Sequence, residues 1–313
     1  MSATYRAKRA IRLALAAPGV RDALRWFLQH PRVPPHWQAL VHRKVAKRAR
    51  FGSDATFEYT TDDGVSLSLL HEGTANYLYW LGNYEIESTT LFRALARDAT
   101  TILDIGAADG LYSLLAAAAN PRARILAFEP ATTAIETSSR NFAHNPELGR
   151  RIDLRSIALG DSDRQATLYV AGESGGTSSL DSAFRSQRSE QTVSVRTGDA
   201  LLAELGVARI DLIKIDTEST EPAVLRGLEN SLRRDHPDIL CEVLHGRTEA
   251  ALDAIVRELG YRAYHVTREG LVEKDRIVGD PTYREANYLF TRRDPSSLAR
   301  LAYTSSKARI VFT

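Results

Sequence analysis

The sequence predicts an α/β protein, built on a largely parallel sheet with helices on both faces and preceded by a helical extension. Residues 101–130 run through an apolar strand, a glycine turn, a helix rich in alanine and leucine, and a second apolar strand, which together form a βαβ unit. Further strands are predicted at 152–159, 210–215, 239–244, 261–266 and 286–291. Seven strands in this order favour a doubly wound, Rossmann-like sheet.

The chain begins with a basic arm, residues 1–50, which holds 12 Lys/Arg and the single acid Asp22, although the whole chain has a net charge of only +2. Apolar residues at helical spacing, among them Ile11, Leu13 and Leu24, predict helices that are interrupted by the proline-rich stretch 31–35. Three uses of the arm compete: packing on the acidic remainder of the chain, contact with an anionic membrane surface, or binding of an anionic substrate or nucleic acid.

A hairpin-and-cap segment, residues 51–85, follows the arm and precedes the predicted sheet domain 86–295 and a tail, 296–313. The alternation of residues 55–70 around Asp62-Asp63-Gly64 predicts a β-hairpin. An aromatic cluster then precedes a helix predicted at 86–97. Core packing is one interpretation of the cluster, and a wall of an acceptor pocket is the other, with Tyr77, Trp80 and Tyr84 as candidates.

The first ligand motif is the glycine loop 106–110, which lies between two acids at strand ends, Asp104 and Glu129. A dinucleotide needs G-x-G-x-x-G, but this loop lacks the later glycines, and Asp109 would face the phosphates at a cost of kilocalories. S-adenosylmethionine (SAM) has no phosphate and carries a sulfonium and an ammonium, which nearby acids favour. Glu129 would then accept hydrogen bonds from both ribose hydroxyls. The alternatives are a dinucleotide site and a turn that binds nothing.

Further cofactor candidates surround this loop. Asp161 follows the strand at 152–159, where its carboxylate could accept the adenine amino group, although Gly160-Asp161 also fits an ordinary turn. The remaining candidates are Gly106, Ala107, Gly110 and Tyr112. Beyond Asp161, strands predicted at 164–170 and 191–196 bracket the polar stretch 172–179, which is interpreted as a lid over the acceptor or as a simple insertion.

The second motif, IDLIKIDTESTEPAVLRGLEN at 210–230, places charges within and just after an apolar strand. Lys214 and Asp216 are expected to face a cleft or a partner, because charges inside an apolar strand are otherwise costly to bury. Glu218 and Glu221 stand at the start of the next helix, where acids also commonly offset the helix dipole.

The segments DIGAADGLYSLLAA, AFEP, IALGD, IKIDTESTEPAVLRG and PDILCEV, in this order, resemble the FkbM family of SAM-dependent methyltransferases across residues 80 to 290. The resemblance implies the class I methyltransferase sheet, with its last strand antiparallel. For most members it also implies O-methylation of sugars, polyketides and other secondary metabolites. It places Asp104, Gly106, Gly110 and Glu129 at the cofactor, and Lys214, Asp216 and Glu218 at the reaction centre. The family usually has glycine after that glutamate, whereas this chain has Ser219.

A hydroxyl acceptor needs a group that removes its proton. Asp216 is the first candidate for this base, with Lys214 holding its charge and geometry, and His245, just after the fifth strand, is the rival. Glu242 is predicted either to pair with Lys214 or to act on substrate. A divalent ion held by Asp216 and Glu218 is an alternative, but no metal is assigned.

Several reaction classes are disfavoured by absent motifs. No [ND]-P-P-[YFW] segment follows the fourth strand, which argues against exocyclic amines as acceptors, and the lone Cys241 does not support cytosine-C5 chemistry. The favoured reaction is O-methyl transfer to a small molecule or glycoside. The alternatives are nucleic-acid methylation through the basic arm, and SAM binding without turnover. The sequence has one cysteine, no apolar run of the ~18 residues that span a bilayer, and no signal-peptide pattern. These features predict a cytoplasmic location.

Overall fold

A computed structural model describes residues 14–15, 17–46, 49, 51–52, 54–61, 63–171, 177–181 and 189–302. The chain divides into two compact units, 1–84 and 85–313. The basic arm and the hairpin-and-cap segment, which the sequence separates at residue 50, therefore belong to one unit. Ile11 and Leu13 of the arm and residues 172–176 of the predicted lid lie outside the described residues.

The described strands and helices alternate along most of the chain. The strands are β1 Thr56–Thr60, β2 Ser66–Leu70, β3 Thr101–Ile105, β4 Arg124–Phe128, β5 Ile152–Arg155, β6 Ala158–Gly160, β7 Arg164–Ala171, β8 Thr177–Ser179, β9 Ser189–Thr197, β10 Leu212–Ile215, β11 Asp238–Glu242, β12 Arg262–Thr267, β13 Gly270–Lys274 and β14 Asn287–Thr291. The helices are α1 Pro18–Gln29, α2 Pro35–Lys44, α3 Ala75–Leu81, α4 Ile86–Ala96, α5 Leu111–Ala119, α6 Thr132–His144, α7 Pro146–Gly149, α8 Gly198–Glu204, α9 Glu221–Gly227, α10 Glu229–Asp235, α11 Glu249–Glu258 and α12 Pro295–Ala302.

The N-terminal unit is held together by a small apolar cluster. Helices α1 and α2 begin with prolines, whose fixed φ suits the first helical turn. The predicted hairpin is present as antiparallel β1 and β2, with Gly64 at φ 83° in its turn. Buried Leu28, Tyr79 and Trp80 form the centre of the cluster, against which Leu24, Phe27 and Val41 pack. The helices of this unit thus turn one apolar side inward.

The second unit is built on an eight-stranded sheet in the order β13-β12-β14-β11-β10-β3-β4-β5. Strands β3, β4, β5, β10 and β11 run parallel, and β14 is antiparallel to β11 and β12, as predicted for the last strand. The prediction of seven strands was wrong by one, because the chain turns at Gly270 and adds β13 as an antiparallel edge beside β12. The order reverses between β3 and β10, which creates a crevice at the carboxyl ends of these strands.

A smaller sheet, β6-β9-β7-β8, lies apart from the main one. The prediction of a single strand at 152–159 was therefore wrong: β5 pairs with β4 in the main sheet, whereas β6 pairs with β9. The break falls at residues 156–157, where the Ile157 amide donates to the Arg155 carbonyl at 2.9 Å. The predicted strands at 164–170 and 191–196 are present as β7 and β9. In the part of the chain that is described, no helix has the length and apolar character needed to cross a membrane.

Candidate active site

The glycine loop and the second motif are in direct contact at the carboxyl edge of the sheet. Gly106 follows β3 with φ 81°, and a Cβ built on it would lie 1.8 Å from the carbonyl oxygen of Asp216. The Asp216 amide in turn donates to the carbonyl of Ile105 at 2.9 Å. A side chain at position 106 would push the two motifs apart, so glycine is required there for close backbone approach as well as for the turn.

Glu129, directly after β4, organises the loop through both of its carboxylate oxygens. Oε2 accepts a hydrogen bond from the amide of Ala108 at 2.9 Å, and Oε1 accepts one from the amide of Ala131 at 2.8 Å. Burial raises the pKa of Glu129 to about 7, against the opposing effect of these two hydrogen bonds. The carboxylate therefore holds Ala108 in its left-handed conformation at φ 48°, and each oxygen keeps a lone pair for a ligand.

Asp104 is buried inside the end of β3, where the Ser113 hydroxyl donates to its Oδ2 at 2.6 Å. Burial raises its pKa to about 6, although the Ser113 bond and the charge of Lys214 act in the opposite direction. Asp104 stands next to Lys214 in the β3–β10 register. The helix that follows the loop is packed closely, because a Cβ on Gly110 would lie 2.5 Å from the Phe142 ring.

The charge of this crevice fits SAM and disfavours a pyrophosphate. The negative charge of Asp216 raises the pKa of both Asp104 and Glu129, and Asp104 also raises that of Glu129. These carboxyls are therefore incompletely compensated by protein cations. A ligand that brings a sulfonium and an ammonium would relieve their repulsion, whereas a phosphate would add to it.

Lys214 is the buried cation of the second motif. It lies in the middle of β10, and its Nζ is 3.3 Å from Asp216 Oδ2 and 3.2 Å from Asn287 Oδ1, with the Tyr112 ring centroid at 5.1 Å. Burial disfavours its charge, but the carboxylates of Asp216, Glu85 and Glu242 together raise its pKa above the ordinary value. Lys214 therefore stays an ammonium and orients Asp216, whose side chain remains 27% exposed at the cleft.

Two members of this network were missed by the sequence analysis. Glu85 Oε2 accepts hydrogen bonds from the Tyr112 hydroxyl and from Asn287 Nδ2, both at 2.9 Å. Asn287 thereby links Glu85 to Lys214. Its one signal in the sequence is a polar residue that opens the otherwise apolar strand NYLFT, and Glu85 gives no signal because it stands in a loop 129 positions before Lys214 in the chain. Tyr112, predicted at the cofactor, is placed against Lys214.

The turn that follows Asp216 is backbone-strained. Glu218 has φ 54° and Ser219, where the family usually has glycine, has φ 98°. Glu221 Oε1 stabilises this turn by accepting from the amides of Thr217 at 3.0 Å and Ser219 at 3.1 Å. The helix begins at Glu221, and Glu221 acts within the turn rather than only on the helix dipole.

Glu242 stands at the end of β11, opposite Asn287 in the register. Its Oε2 is buried and has no hydrogen-bond partner among the described residues. Burial, followed by the charges of Asp216 and Glu218, raises the pKa of Glu242 well above its usual range. The predicted ion pair between Glu242 and Lys214 is not formed: among the described residues the ion-pair partner of Lys214 is Asp216, and Glu242 acts on Lys214 only through its charge, which helps to raise the pKa of Lys214.

The remaining candidates are His245, Asp161 and the aromatic residues of the N-terminal unit. The His245 Nδ1 contacts the Gly279 carbonyl at 3.0 Å and stands 3.6 Å from Glu249, and the exposed Asp161 pairs with Arg164 at 3.0 Å. Their predicted roles stay predictions. Trp80 is completely buried in the N-terminal unit, so its indole serves as core there.

Tyr77 and Tyr84 are partly buried in the same unit, with ring centroids 5.8 Å apart. A role for them at the acceptor remains a prediction. Within the described ranges, no group of three or more His, Cys, Asp or Glu is arranged to hold a metal ion.

The segment that carries both motifs matches a known family. The model of the methyltransferase FkbM domain matches residues 104–263, just over half of the chain. The chain belongs to the FkbM methyltransferase family. The matched domain is a methyltransferase domain and contains both the glycine loop and the second motif.

Individual relatives of this FkbM methyltransferase are matched in part. It is 30% identical to the methyltransferase sdnD of Sordaria araneosa over 41% of this chain and 60% of that protein. It is 29% identical to the AMB antimetabolite synthetase AmbE of Pseudomonas aeruginosa over 55% of this chain and 10% of that protein. The crystal structure of a methyltransferase FkbM from Methylobacillus flagellatus is 15% identical, with 62% of this chain and 44% of that one covered and a TM-score of 0.43. The chain thus spans less than two thirds of the length of these relatives.

Proposed function

We propose that this protein is a SAM-dependent O-methyltransferase that acts on a hydroxyl of a small molecule or glycoside. The observation that carries the proposal is the contact between the two motifs: Gly106 of the cofactor loop packs on the backbone of Asp216, whose carboxylate is partly exposed and held by a buried ammonium. A candidate base therefore stands directly beside the loop assigned to the cofactor.

Different residues of the crevice bind the cofactor and remove the proton of the acceptor hydroxyl. Bound SAM supplies an electrophilic methyl group, which the acceptor oxygen takes in an in-line displacement as the carbon–sulfur bond breaks. Asp216 accepts the hydroxyl proton as the oxygen–carbon bond forms, and the Lys214 ammonium holds Asp216 in position. Glu129 binds the ribose hydroxyls, and the Glu85–Asn287 pair fixes the position of Lys214.

The acceptor class rests on the absent amine motif and on the charge of the crevice. Four acids, Asp216, Glu218, Glu221 and Glu242, stand at the carboxyl edge near one buried cation, so a neutral hydroxyl compound fits better than a phosphorylated one. A place in secondary metabolism is consistent with the name of the relative AmbE, an antimetabolite synthetase, of which this chain matches only one tenth.

The test is a comparison of cofactor binding with methyl transfer in Asp216→Asn. SAM affinity is measured by calorimetry, and transfer of a labelled methyl group is measured on a panel of neutral sugars, phenols and polyketide alcohols. We expect the variant to keep SAM affinity within a few-fold and to lose turnover by about a hundredfold or more, the usual contribution of a general base. Asp153→Asn, which removes only a surface ion pair with Arg155, serves as the matched control.

His245→Gln is the second arm of the same experiment. If His245 is the base, this variant loses turnover while Asp216→Asn keeps it, and the proposed role of Asp216 is wrong. If the wild-type protein binds SAM but methylates amines rather than any hydroxyl in the panel, the proposed reaction itself is wrong.

A further inference from the structure

We propose that the two helices of the N-terminal unit form a docking surface for an anionic lipid bilayer, with Trp26 and Trp37 entering the interface. The surface, called here the tryptophan face, consists of Trp26, Arg32, Trp37, Leu40, Arg43 and Lys44. It does not depend on the proposed reaction, because all of its residues lie in the unit 1–84.

The two indoles flank one turn. Trp26 lies near the end of α1 and its ring centroid is 4.4 Å from that of His30, while Trp37 lies in the first turn of α2. Gln38 Nε2 donates to the His30 carbonyl at 3.2 Å, which ties the two helix ends together. Trp26 is 63% exposed and Trp37 is 50% exposed. Both large aromatic side chains are therefore presented to solvent at the connection 30–34.

Helix α2 also exposes an apolar side chain on its outer side. Leu40 is exposed and stands three positions after Trp37, on the same side of the helix, while Val41 packs inward on the apolar cluster. Four of the six exposed large apolar side chains of the described residues lie between positions 20 and 40. Such a concentration of exposed apolar surface marks an interaction site rather than a random distribution.

The positive charge of the tryptophan face favours an anionic partner. Arg32, Arg43 and Lys44 are exposed and make no ion pair with any described residue, and the arm as a whole carries 12 Lys/Arg against one acid. Indoles at the headgroup level combined with free basic side chains are the combination that binds peripheral helices to anionic lipids. The aliphatic Leu40 favours lipid over nucleic acid, whose bases would use the aromatic rings alone. Because α1 and α2 have 12 and 10 residues, they can lie on a bilayer but cannot span it.

The test uses the full chain and its own three tryptophans. Trp80 is completely buried, so a change in tryptophan emission on addition of vesicles reports on Trp26 and Trp37. We expect a blue shift and quenching by brominated lipid with phosphatidylcholine vesicles that contain phosphatidylglycerol, and neither with pure phosphatidylcholine. Added salt should reverse the binding, because screening weakens the attraction between the basic side chains and the headgroups.

Sedimentation with the same vesicles compares two matched charge reversals. Arg43→Glu/Lys44→Glu should reduce the bound fraction by about tenfold or more, whereas Arg276→Glu/Arg284→Glu, an equally exposed basic pair of the second unit, should leave it unchanged. Trp26→Ala/Trp37→Ala should also lose binding, with circular dichroism checking that each variant is folded.

Several outcomes would overturn the proposal. Equal binding to charged and uncharged vesicles would contradict it, as would an equal loss of binding in the two charge reversals. Salt-sensitive retention of RNA without vesicle binding would assign the face to nucleic acid instead. A concentration-dependent dimer that is lost in Trp26→Ala/Trp37→Ala, again without vesicle binding, would assign the face to a second copy of the chain.

Discussion

Replacing Glu129 by glutamine is expected to weaken the pH dependence of the free energy of unfolding. Burial raises the pKa of this carboxyl from 4.5 to about 7 in the folded protein. Between these values the folded protein binds more protons than the unfolded chain, so its stability is fully present below about pH 4.5 and falls as the pH rises through about 7. At 1.36 kcal/mol per pKa unit, the loss attributable to Glu129 is about 3 kcal/mol.

Urea unfolding at several pH values between about 5 and 8 measures this loss in the ligand-free protein. Asp104, whose pKa is raised to about 6, contributes in the same direction and leaves a residual slope in the variant, so the difference between wild type and Glu129→Gln isolates Glu129. The exposed Glu147→Gln is the control and should follow the wild type. Parallel curves for wild type and Glu129→Gln would refute the reasoning.

Protonation of Glu129 should also change the affinity of the protein for SAM. In the proposed site the ribose hydroxyls would donate to the ionised carboxylate of Glu129, so SAM should bind more tightly as Glu129 ionises. With a pKa of about 7, the ionised fraction rises about tenfold between about pH 6 and 8, and SAM affinity should rise by a similar factor. Calorimetry on Glu129→Gln should show weaker binding with little dependence on pH. Binding that weakened with rising pH would mean that the protonated form holds the ligand.

Three further predictions follow from the site. Gly106→Ala should abolish SAM binding in calorimetry and destabilise the protein by several kcal/mol in urea unfolding, because its Cβ would meet the Asp216 carbonyl at 1.8 Å. The control Gly206→Ala, at φ 63° and with nothing within 4 Å of the added Cβ, should lose only about 1–2 kcal/mol. Ser219→Gly should raise the free energy of unfolding by about 1 kcal/mol in urea by relieving φ 98°, and a loss of stability would contradict the strain. Lys214→Met should cost about 3–5 kcal/mol in the same assay, because it leaves carboxylates of the network uncompensated, and a change below about 1 kcal/mol would contradict the role of Lys214.

The order of elements was readable from the sequence because it is encoded locally. The βαβ unit at 101–130 was predicted from apolar runs and turn residues, and the antiparallel direction of the last strand was implied by the family resemblance. Both are present. The extra strand β13 was missed because its five residues, GLVEK, are short and end in two charges, so only pairing with β12 makes them a strand. The split of 152–159 into β5 and β6 likewise depends on partners distant in the chain, since the mixture of apolar and polar residues in this run fits one strand equally well.

The candidate site, like the fold, could be predicted from the sequence only in part. The sequence by itself determined the family, and it predicted a cofactor loop with its acids and a charged KID segment at the reaction centre. These are short motifs whose residue types and spacing can be read locally. Only the tertiary structure decided that Lys214 pairs with Asp216 rather than Glu242, that Asn287 and Glu85 complete the network, and that Gly106 joins the two motifs. These facts depend on which strands become neighbours and on which charged side chains are buried close enough to compensate each other's charge. Neither can be read from a local sequence pattern.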